Sequence, residues 1–457
     1  MPSPSDPPVS GAFAAATAGR ARDDACPGAL RLHTADDGAL ARIRIPGGLL
    51  TVRQAEAVAV AADRLGDGRI DLTSRGNLQL RGLRDPGAGT ELAALLGRAG
   101  LLPSWAHERA RNVVASPLAG LDGRSHGDLR GWIRELDALL CASAAAAGLS
   151  GRFLFALDDG RGDTAALGGD VALIARPDAA AAELRLAGRP VAQVPAGDAP
   201  RWAVRAAEGF LTLAAERGAR AWRIADVDPA GTETAARLRA AGAPPAASGP
   251  AADDTVPDTA GGPPLPGLVR HPDGTTCALS AGVRLGRLTT RAWRLLARVA
   301  GSGAGELRVT PWRGVVLPGL PPSTAQEATE GLTAAGFLTG EDSPWRGVTA
   351  CAGRPGCAKS LADVRTDARA ALREAAPEPG HRLLPVHFSG CERRCGHPDG
   401  SWVDVVAGAD GRYRVAVAGA VRGVTAATAA TAATATDLPA ALDTARRTST
   451  PPPSRTT

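Results

Sequence analysis

The stretch LTSRGNLQLRGL at residues 72–83 has a counterpart, VTPWRGVVLPGL, at residues 309–320. The two stretches align without a gap, so that Thr73 matches Thr310. Apolar residues recur at every second position in parts of both, which favours a β-strand in each half of the chain. An internal match of this kind predicts a duplicated structural unit.

The segments that precede these two strands also match each other. Each contains a short strand and then a helix that begins after a threonine, a residue favoured as an N-cap. The predicted caps and the apolar positions at helical spacing are Thr51 with Ala55, Val58, Ala61 and Leu65, and Thr289 with Leu295, Leu296 and Val299. A β-α-β unit followed by a further helix in each half predicts two ferredoxin-like half repeats about a pseudo-two-fold axis.

The remaining sequence divides into domains, a linker and two tails. The Pro-, Ala- and Gly-rich stretch 241–267 predicts a linker, and the composition of residues 1–25 and 424–457 predicts disordered tails. The predicted domains are the half repeats at 26–100 and 268–340, and α/β domains at 101–240 and 341–423. The predicted fold class is α+β, in which the half repeats form one domain and two α/β domains are added, the last of which carries the cysteine pairs.

Composition excludes several classes of protein. The 457 residues contain no apolar run of the roughly 20 residues that span a bilayer, and the N-terminal stretch has no signal-peptide pattern. We therefore expect a cytoplasmic protein whose seven cysteines are ligands or core residues rather than disulfides. The net charge is +5, but aromatic residues are only 3% and no basic run stands out, so no nucleic-acid partner is predicted.

Four of the seven cysteines fall in two tight pairs. TACAGRPGCAKS holds Cys351 and Cys357, and HFSGCERRCGHP holds Cys391 and Cys395. Four thiolates bind either a zinc ion or an iron–sulfur cluster. The C-x5-C spacing is wide for zinc and favours the larger cluster; zinc, or four buried structural cysteines, is the alternative. We interpret the other three cysteines as structural or incidental: Cys26, Cys141 and Cys277.

The residues around the first pair also fit a cluster. The sequence after Cys357 predicts a helix whose positive N-terminal end faces the site, with Lys359 in its first turn. Gly356 and Gly390 would let the main chain approach closely. His387 lies beside the second pair, but no spacing in the sequence assigns an iron ligand.

The cysteine pattern, placed after two half repeats, resembles the sulfite and nitrite reductase superfamily over about residues 28–422. The resemblance implies that the four cysteines hold a 4Fe-4S cluster, and that in sirohaem enzymes the last, here Cys395, also touches the sirohaem iron. It further implies that basic residues bind the carboxylates of the tetrapyrrole; Arg75, Arg111 and Arg152 stand at the matching positions. Leu154 replaces a lysine of this set.

The detail around the cysteines is similar to one branch of that superfamily, the branch that makes precorrin-3B. Glu392 and Arg393 stand where the sirohaem reductases carry Pro-Asn. The resemblance implies O2-dependent hydroxylation of C20 of precorrin-3A with closure of a γ-lactone, a 4Fe-4S cluster and a mononuclear non-haem iron. NADH would supply electrons through a separate reductase or ferredoxin, since no G-x-G-x-x-G follows a predicted strand.

Further residues are candidates for the tetrapyrrole site. Arg313 is the second-half counterpart of the region around Arg75 and could bind another carboxylate, although a surface arginine would look the same. Asn77 and Gln79 would share one strand face with Arg75, or form an ordinary polar face. His397 also flanks the second cysteine pair, and no catalytic residue is assigned.

Two other functions remain open from the sequence. One is a sirohaem-dependent ferredoxin sulfite or nitrite reductase, against which Leu154 and the missing Pro-Asn argue. The other is a non-catalytic tetrapyrrole carrier or a zinc-stabilised binding protein, against which the intact cysteine set argues.

Overall fold

The computed structural model describes residues 24, 26–85, 87–177, 179–246, 262–372, 383–398, 400–419 and 431–447. These residues form two compact units. The first unit takes its described residues from 1–33, 43–49 and 96–263, and the second from 34–42, 50–95 and 264–457.

The first half repeat follows the predicted order of strands and helices. Its elements are β1 (Ala39–Ile43), β2 (Leu49–Thr51), α1 (Val52–Leu65), β3 (Arg69–Leu72), β4 (Leu78–Leu83) and α2 (Ala88–Arg98). Thr51 caps α1 as predicted, since its hydroxyl accepts a hydrogen bond from the Gln54 amide at 3.2 Å. The Gln54 side chain accepts one from the Thr51 amide at 3.0 Å, which completes a capping box.

The first unit is an α/β domain with one five-stranded sheet. Its elements are β5 (Val113–Ala115), α3 (Arg130–Ala142), β6 (Phe155–Asp158), β7 (Val171–Ala175), β8 (Ala181–Leu186), β9 (Arg189–Pro195), α4 (Ala199–Glu216) and α5 (Thr232–Ala240). The strand order follows the chain, with β5, β6 and β7 parallel and the last two antiparallel. Phe153, Phe155 and Phe210 pack together in its core, with ring centres 5.1 and 5.3 Å apart.

The second half repeat has the same plan as the first. Its elements are β10 (Gly267–Arg270), β11 (Cys277–Gly282), β12 (Arg287–Thr289), α6 (Thr290–Gly301), β13 (Glu306–Val309), β14 (Gly314–Leu320) and α7 (Pro322–Ala334). Thr289 caps α6, because its hydroxyl accepts a hydrogen bond from the Ala292 amide at 3.2 Å. The predicted cap is therefore confirmed.

The half repeats exchange strands. One sheet has the order β1-β4-β3-β12 and the other β10-β11-β14-β13-β2, so each sheet contains a strand from the other repeat. The contacts at the exchange are paired: the Val52 amide donates to the Gly305 carbonyl at 3.2 Å, and the Thr290 amide donates to the Gly68 carbonyl at 3.1 Å. Matched contacts of this kind indicate the predicted pseudo-two-fold relation.

The rest of the second unit is a mixed sheet with helices. Its elements are β15 (Val348–Ala350), α8 (Val364–Ala371), β16 (Val386–Ser389), β17 (Trp402–Ala407), β18 (Tyr413–Ala418), β19 (Thr431–Ala433) and α9 (Leu438–Arg447). Strands β15, β16 and β17 are parallel neighbours, and β18 and β19 continue the sheet antiparallel. The α+β fold class is confirmed.

The C-terminal region differs from the prediction. Disorder was expected from residue 424, but 431–447 form β19 and α9. Leu438 and Leu442 of α9 are buried, and the buried Arg446 donates to the carbonyls of Leu384, Pro344 and Arg346 at 3.0–3.1 Å. The prediction is wrong for this segment because apolar contacts and three carbonyl acceptors fix the helix. The predicted N-terminal tail, apart from Asp24, and the linker core at 247–261 lie outside the described residues, as do 420–430 and 448–457.

None of the described helices has the length and apolar character needed to cross a lipid bilayer.

Candidate functional site

The two cysteine pairs begin at the same edge of a sheet in the second unit. Cys351 follows β15 directly, and Cys391 follows β16 after one glycine. Because β15 and β16 are parallel neighbours, their carboxyl ends meet at one edge. We call residues 351–357 the first cysteine loop and residues 391–395 the second cysteine loop.

The thiols are close to one another but are not arranged for a single metal ion. Burial raises the pKa of the Cys351 thiol, and negative charge on Cys395 and Cys357 raises it further, against hydrogen bonds from the main chain at Gly390 and Gly353. Among the described residues, no three cysteine sulfurs lie within 4.8 Å of one another. Tetrahedral zinc, with Zn–S bonds of about 2.3 Å, needs sulfurs roughly 3.8 Å apart. Within the described residues, three of these thiols are therefore not assembled around a single zinc ion.

The two cysteine loops are locked together through Gly390. Its amide donates to the sulfur of Cys351 at 3.2 Å, and its carbonyl accepts from the Leu361 amide at 2.7 Å. A Cβ atom at this position would lie 1.8 Å from the hydroxyl oxygen of Ser360. The predicted close approach at Gly390 is confirmed, since no larger residue fits without moving Ser360.

The helix after the first cysteine loop begins later than predicted. α8 starts at Val364, and the side chain of Asp363 caps it by accepting from the Thr366 amide at 3.2 Å. Lys359 therefore lies in a turn before the helix, and the helix N-terminus does not begin beside Cys357. The prediction is wrong because the hydroxyl of Ser360, a residue equally suited to an N-cap, donates to the Ala362 carbonyl at 2.8 Å, and Asp363 caps the helix instead.

Arg75 lies in the turn between β3 and β4, which we call the first turn (residues 73–77). The Thr73 amide donates to the Asn77 carbonyl at 2.9 Å, and the Thr73 hydroxyl accepts from the Asn77 amide at 3.1 Å. β4 begins only at Leu78, so the predicted strand alternation does not reach Arg75. Asn77 is fully buried, and Gln79 accepts a hydrogen bond from Arg42 at 3.3 Å.

Arg313 lies in the equivalent turn between β13 and β14, the second turn (residues 310–314). There the Thr310 amide donates to the Gly314 carbonyl at 2.9 Å, and the Thr310 hydroxyl accepts from the Gly314 amide at 3.1 Å. The two turns lie against each other, since a Cβ atom on Gly76 would be 3.2 Å from the carbonyl oxygen of Val309.

The side chain of Arg313 reaches the residue that follows the second cysteine loop. Its Nη2 donates to the carbonyl of Gly396 at 3.4 Å. Burial, followed by the neighbouring charge of Arg365, lowers the pKa of Arg313, and Asp71 opposes this. The structure thus places a cation from the second turn against the residue that follows Cys395.

Arg111, in the first unit, is already bound to other protein groups. Its side chain is 3% exposed; Nε and Nη2 donate to the Asp137 carboxylate at 2.6 and 2.8 Å, and Nη1 donates to the Leu101 carbonyl at 2.8 Å. The next residue, Asn112, donates from its side chain to the Phe153 carbonyl at 3.0 Å. This geometry favours a structural role for Arg111, because a ligand carboxylate would have to displace Asp137.

Arg152, in the same unit, is exposed and lies before β6. The carbon of its guanidinium is 4.3 Å from the ring centre of Trp222, a cation–π distance. Two positions on, Leu154 is 4% exposed and packs in an apolar cluster with Val114 and Ala156. The position where the sirohaem reductases carry a lysine thus faces apolar side chains.

The chain is similar to known enzymes over most of its length. Residues 33–94 and 269–335 match the nitrite/sulfite reductase ferredoxin-like half domain. A precorrin-3B synthase from a Sinorhizobium species is 30% identical, over 90% of this chain and 86% of that protein. A ferredoxin–nitrite reductase from Synechococcus elongatus is 30% identical, over 79% of this chain and 74% of that protein.

The chain belongs to the nitrite and sulfite reductase superfamily that includes precorrin-3B synthase. A solved structure, NirA of Mycobacterium tuberculosis, has the same fold with a TM-score of 0.64, over 88% of this chain and 79% of that chain, at 19% identity. Members of this superfamily typically bind a 4Fe-4S cluster and sirohaem. The four cysteines of the second unit supply the type of donor that such a cluster takes.

The two histidines beside the second cysteine pair make different contacts. His387 is fully buried, and its Nδ1 lies 2.8 Å from the hydroxyl of Thr349, which itself donates to a carbonyl. Burial, and then the charges of Arg313 and His397, lower the pKa of His387 to about 3, so the ring is neutral. His397 stacks on Trp402 with ring centres 4.7 Å apart.

A mononuclear iron site of two histidines and a carboxylate is not assembled within the described residues. The group of three ligand-type side chains that lies close enough there is Asp158, Asp159 and Asp163. Asp158 accepts hydrogen bonds from the amides of Gly160 and Gly162 and from three further donors. This acidic group contains no histidine and is already hydrogen-bonded, so it does not fit such an iron.

Sequence reasoning missed the two arginines that connect to the first cysteine loop, Arg81 and Arg365. Arg81 lies in the motif that had been identified, but its partner Asp37 is 44 residues away. An ion pair between residues so far apart in the chain produces no recognisable pattern in a single sequence.

Proposed function

We propose that the chain is a precorrin-3B synthase that hydroxylates C20 of precorrin-3A with dioxygen and closes the γ-lactone. One oxygen atom enters the product and the other leaves as water, with two electrons from NADH delivered by a separate reductase or ferredoxin. Support comes from the relative of that name, which matches 90% of this chain.

The observation that favours this function over a sirohaem reductase is the environment of Leu154. The sirohaem reductases carry a lysine at this position, and here an apolar side chain packs against Val114 and Ala156 instead. One cation of the sirohaem-binding set is therefore missing. Glu392, which replaces part of the Pro-Asn motif, is exposed and forms ion pairs with Arg394 and Arg414 at 2.6 and 2.9 Å.

Within the second unit, we assign the cluster to Cys351, Cys357, Cys391 and Cys395. When bound, a 4Fe-4S cluster supplies single-electron transfer. The chain's own residues hold it: the Gly390 amide donates to the sulfur of Cys351 and fixes its direction.

The carboxylates of the substrate are assigned to cations of the two turns. Arg75 lies in the first turn and Arg313 in the second, and the turns lie against each other. Planar guanidinium groups bind carboxylates at two points, which orients the macrocycle as well as holding it. Asn77 and Gln79 position the first turn and β4.

The test is a purification without oxygen. We would record the visible spectrum, count iron and acid-labile sulfide, and extract with acidified acetone. A cluster spectrum with four iron atoms or more per chain and no extractable pigment is expected for a protein that binds its tetrapyrrole as substrate. Extractable sirohaem would instead identify a sulfite or nitrite reductase, the second candidate, which the similarity to the Synechococcus elongatus enzyme also allows.

A further inference from the structure

The first cysteine loop is held by a buried arginine of the first half repeat. Arg81 on β4 is 5% exposed, and its Nη2 donates to the carbonyl of Gly356, the residue before Cys357, at 2.5 Å. Its Nε and Nη2 also donate to the two carboxylate oxygens of Asp37 at 2.9 and 2.8 Å. The carboxylate thus fixes the plane of the guanidinium that holds the loop.

A second arginine holds the other end of the same loop. Arg365 in α8 donates from Nε to the carbonyl of Cys351 at 3.2 Å and from Nη1 to Asp71 on β3 at 2.8 Å. Asp71 and Arg81 lie on the two strands that flank the first turn. Both ends of the first cysteine loop are therefore bound by arginines. Each arginine is held by a carboxylate of the first half repeat, Asp37 for Arg81 and Asp71 for Arg365.

The loop is shaped to receive Arg81. A Cβ atom on Gly356 would lie 2.8 Å from Nη2 of Arg81 and 2.8 Å from Oδ2 of Asp37. A glycine is required here because the ion pair occupies the space of a side chain. The close approach at Gly356 was expected from the sequence, but its cause is this pair of residues.

We propose that Arg81 and Arg365 are positioning residues of the iron–sulfur cluster, contributed through the β3–β4 hairpin. This inference rests on the proposed cluster. Arg81 fixes the carbonyl of Gly356, next to Cys357, and Arg365 fixes the carbonyl of Cys351 itself, so that the spacing of these two cysteines is set before the cluster binds. Each arginine also brings positive charge towards an anionic cluster, which stabilises its reduced form and raises its reduction potential.

The experiment compares Arg81→Ala, Arg81→Lys and Gly356→Ala in the full-length protein, after anaerobic reconstitution with iron and sulfide. We would measure the midpoint potential by a redox titration and the rate of iron loss to a chelator. Arg81→Ala is expected to speed iron loss roughly tenfold, the factor that corresponds to one charged hydrogen bond, and to lower the potential. Arg81→Lys keeps the positive charge but loses the planar guanidinium that binds two acceptors at once. We therefore expect its midpoint potential to stay close to that of the wild type, while its rate of iron loss still increases.

Gly356→Ala tests the contact from the other side without removing a charge. Its methyl group is expected to displace Arg81. Because both changes break the same contact, the double variant Arg81→Ala with Gly356→Ala should lose iron no faster than the more affected single variant. The control is Arg64→Ala, whose side chain is 59% exposed and pairs with Glu91 at the surface. It should leave both quantities unchanged.

Unchanged potential and unchanged iron loss in Arg81→Ala and Gly356→Ala would overturn the inference. If Arg81→Ala does not fold, as judged by circular dichroism of the apoprotein, the midpoint potential and the rate of iron loss of Gly356→Ala test the inference. A wild-type protein that contains no iron and sulfide, even after reconstitution, would instead contradict the proposed function, and the two failures are thereby distinguished.

Discussion

Arg313 occupies in the second turn the place that Gly76 occupies in the first. Both have a left-handed main chain, with φ of 58° and 64°, and both donate their amide to the carbonyl of the turn threonine at 3.2 Å. A left-handed conformation is unfavourable for arginine but not for glycine. Strain of this kind is commonly retained where a side chain has a function.

Arg313→Gly should therefore separate stability from binding. The free energy of unfolding is expected to stay the same or to rise by up to about 1 kcal/mol, because the strained residue is removed, while affinity for precorrin-3A falls. Chemical denaturation and an anaerobic spectroscopic titration measure the two effects. Ala187→Gly, at another left-handed position with φ of 47°, is the control and should change stability only. Unchanged affinity in Arg313→Gly would remove Arg313 from the substrate site.

Arg75→Ala is predicted to weaken precorrin-3A binding about tenfold, the value of one charge-assisted hydrogen bond. The cluster spectrum should not change, since Arg75 lies in the first turn and not in a cysteine loop. The measurement is the same anaerobic titration, with Arg84→Ala as a control because Arg84 is an exposed arginine directly after β4. An equal loss of affinity in Arg84→Ala would mean that the overall positive charge, and not Arg75 itself, affects binding, and would contradict the prediction.

Arg111→Ala is predicted to destabilise the first unit. It leaves the Asp137 carboxylate, whose side chain is 22% exposed, without its partner, and breaking such a pair costs about 3 kcal/mol. Arg130→Ala, which removes an exposed pair with Asp128 near the start of α3, should cost less than about 1 kcal/mol. Equilibrium denaturation compares the two. A stable Arg111→Ala protein with weakened precorrin-3A binding would restore the carboxylate role predicted from the sequence.

Asp163 makes the stability of the first unit depend on pH. Burial, and then the charges of Asp158 and Asp159, raise its pKa to about 7, although a hydrogen bond from Ser116 opposes this. Between about pH 4 and pH 7 the folded chain holds a proton that the unfolded chain has released, so the free energy of unfolding falls as the pH rises. The contribution of the protonated Asp163 to the free energy of unfolding is fully present below about pH 4 and is lost above about pH 7.

Asp163→Asn should therefore remove this slope. The free energy of unfolding at about pH 8 is expected to rise, by at most about 4 kcal/mol, since each pKa unit corresponds to about 1.4 kcal/mol. Denaturation curves at several pH values measure the slope, and Asp198→Asn, an exposed aspartate of the same unit, is the control. An unchanged slope in Asp163→Asn would mean that another group titrates.

The sequence predicted the repeated part of the fold well. Threonine caps and apolar spacing are local signals, and α1 and α6 begin where Thr51 and Thr289 predicted. The exchange of β2 and β12 between the sheets was not predicted, because strand partners far apart in the chain leave no local pattern. Helix α9 was missed because its low-complexity composition hid the apolar face of Leu438 and Leu442, although their spacing of four was visible.

The candidate site was predicted in its residue types rather than in its contacts. The cysteine pairs can be recognised from their spacing in the sequence. However, the ion pairs that hold Arg111 and Arg81 depend on Asp137 and Asp37, 26 and 44 residues away. Whether an arginine faces a ligand or a carboxylate of its own chain is decided by tertiary packing, which motif matching does not include.

The most direct test of the account is an isotope experiment on the wild-type protein. Reconstituted enzyme would be mixed with precorrin-3A, a chemical or enzymatic electron donor and 18O2, and the product analysed by mass spectrometry. We predict one 18O atom in a product that carries a C20 hydroxyl group and a γ-lactone, with the second oxygen atom in water. Recovery of unchanged precorrin-3A, from a protein that binds sirohaem and reduces nitrite or sulfite, would contradict the account.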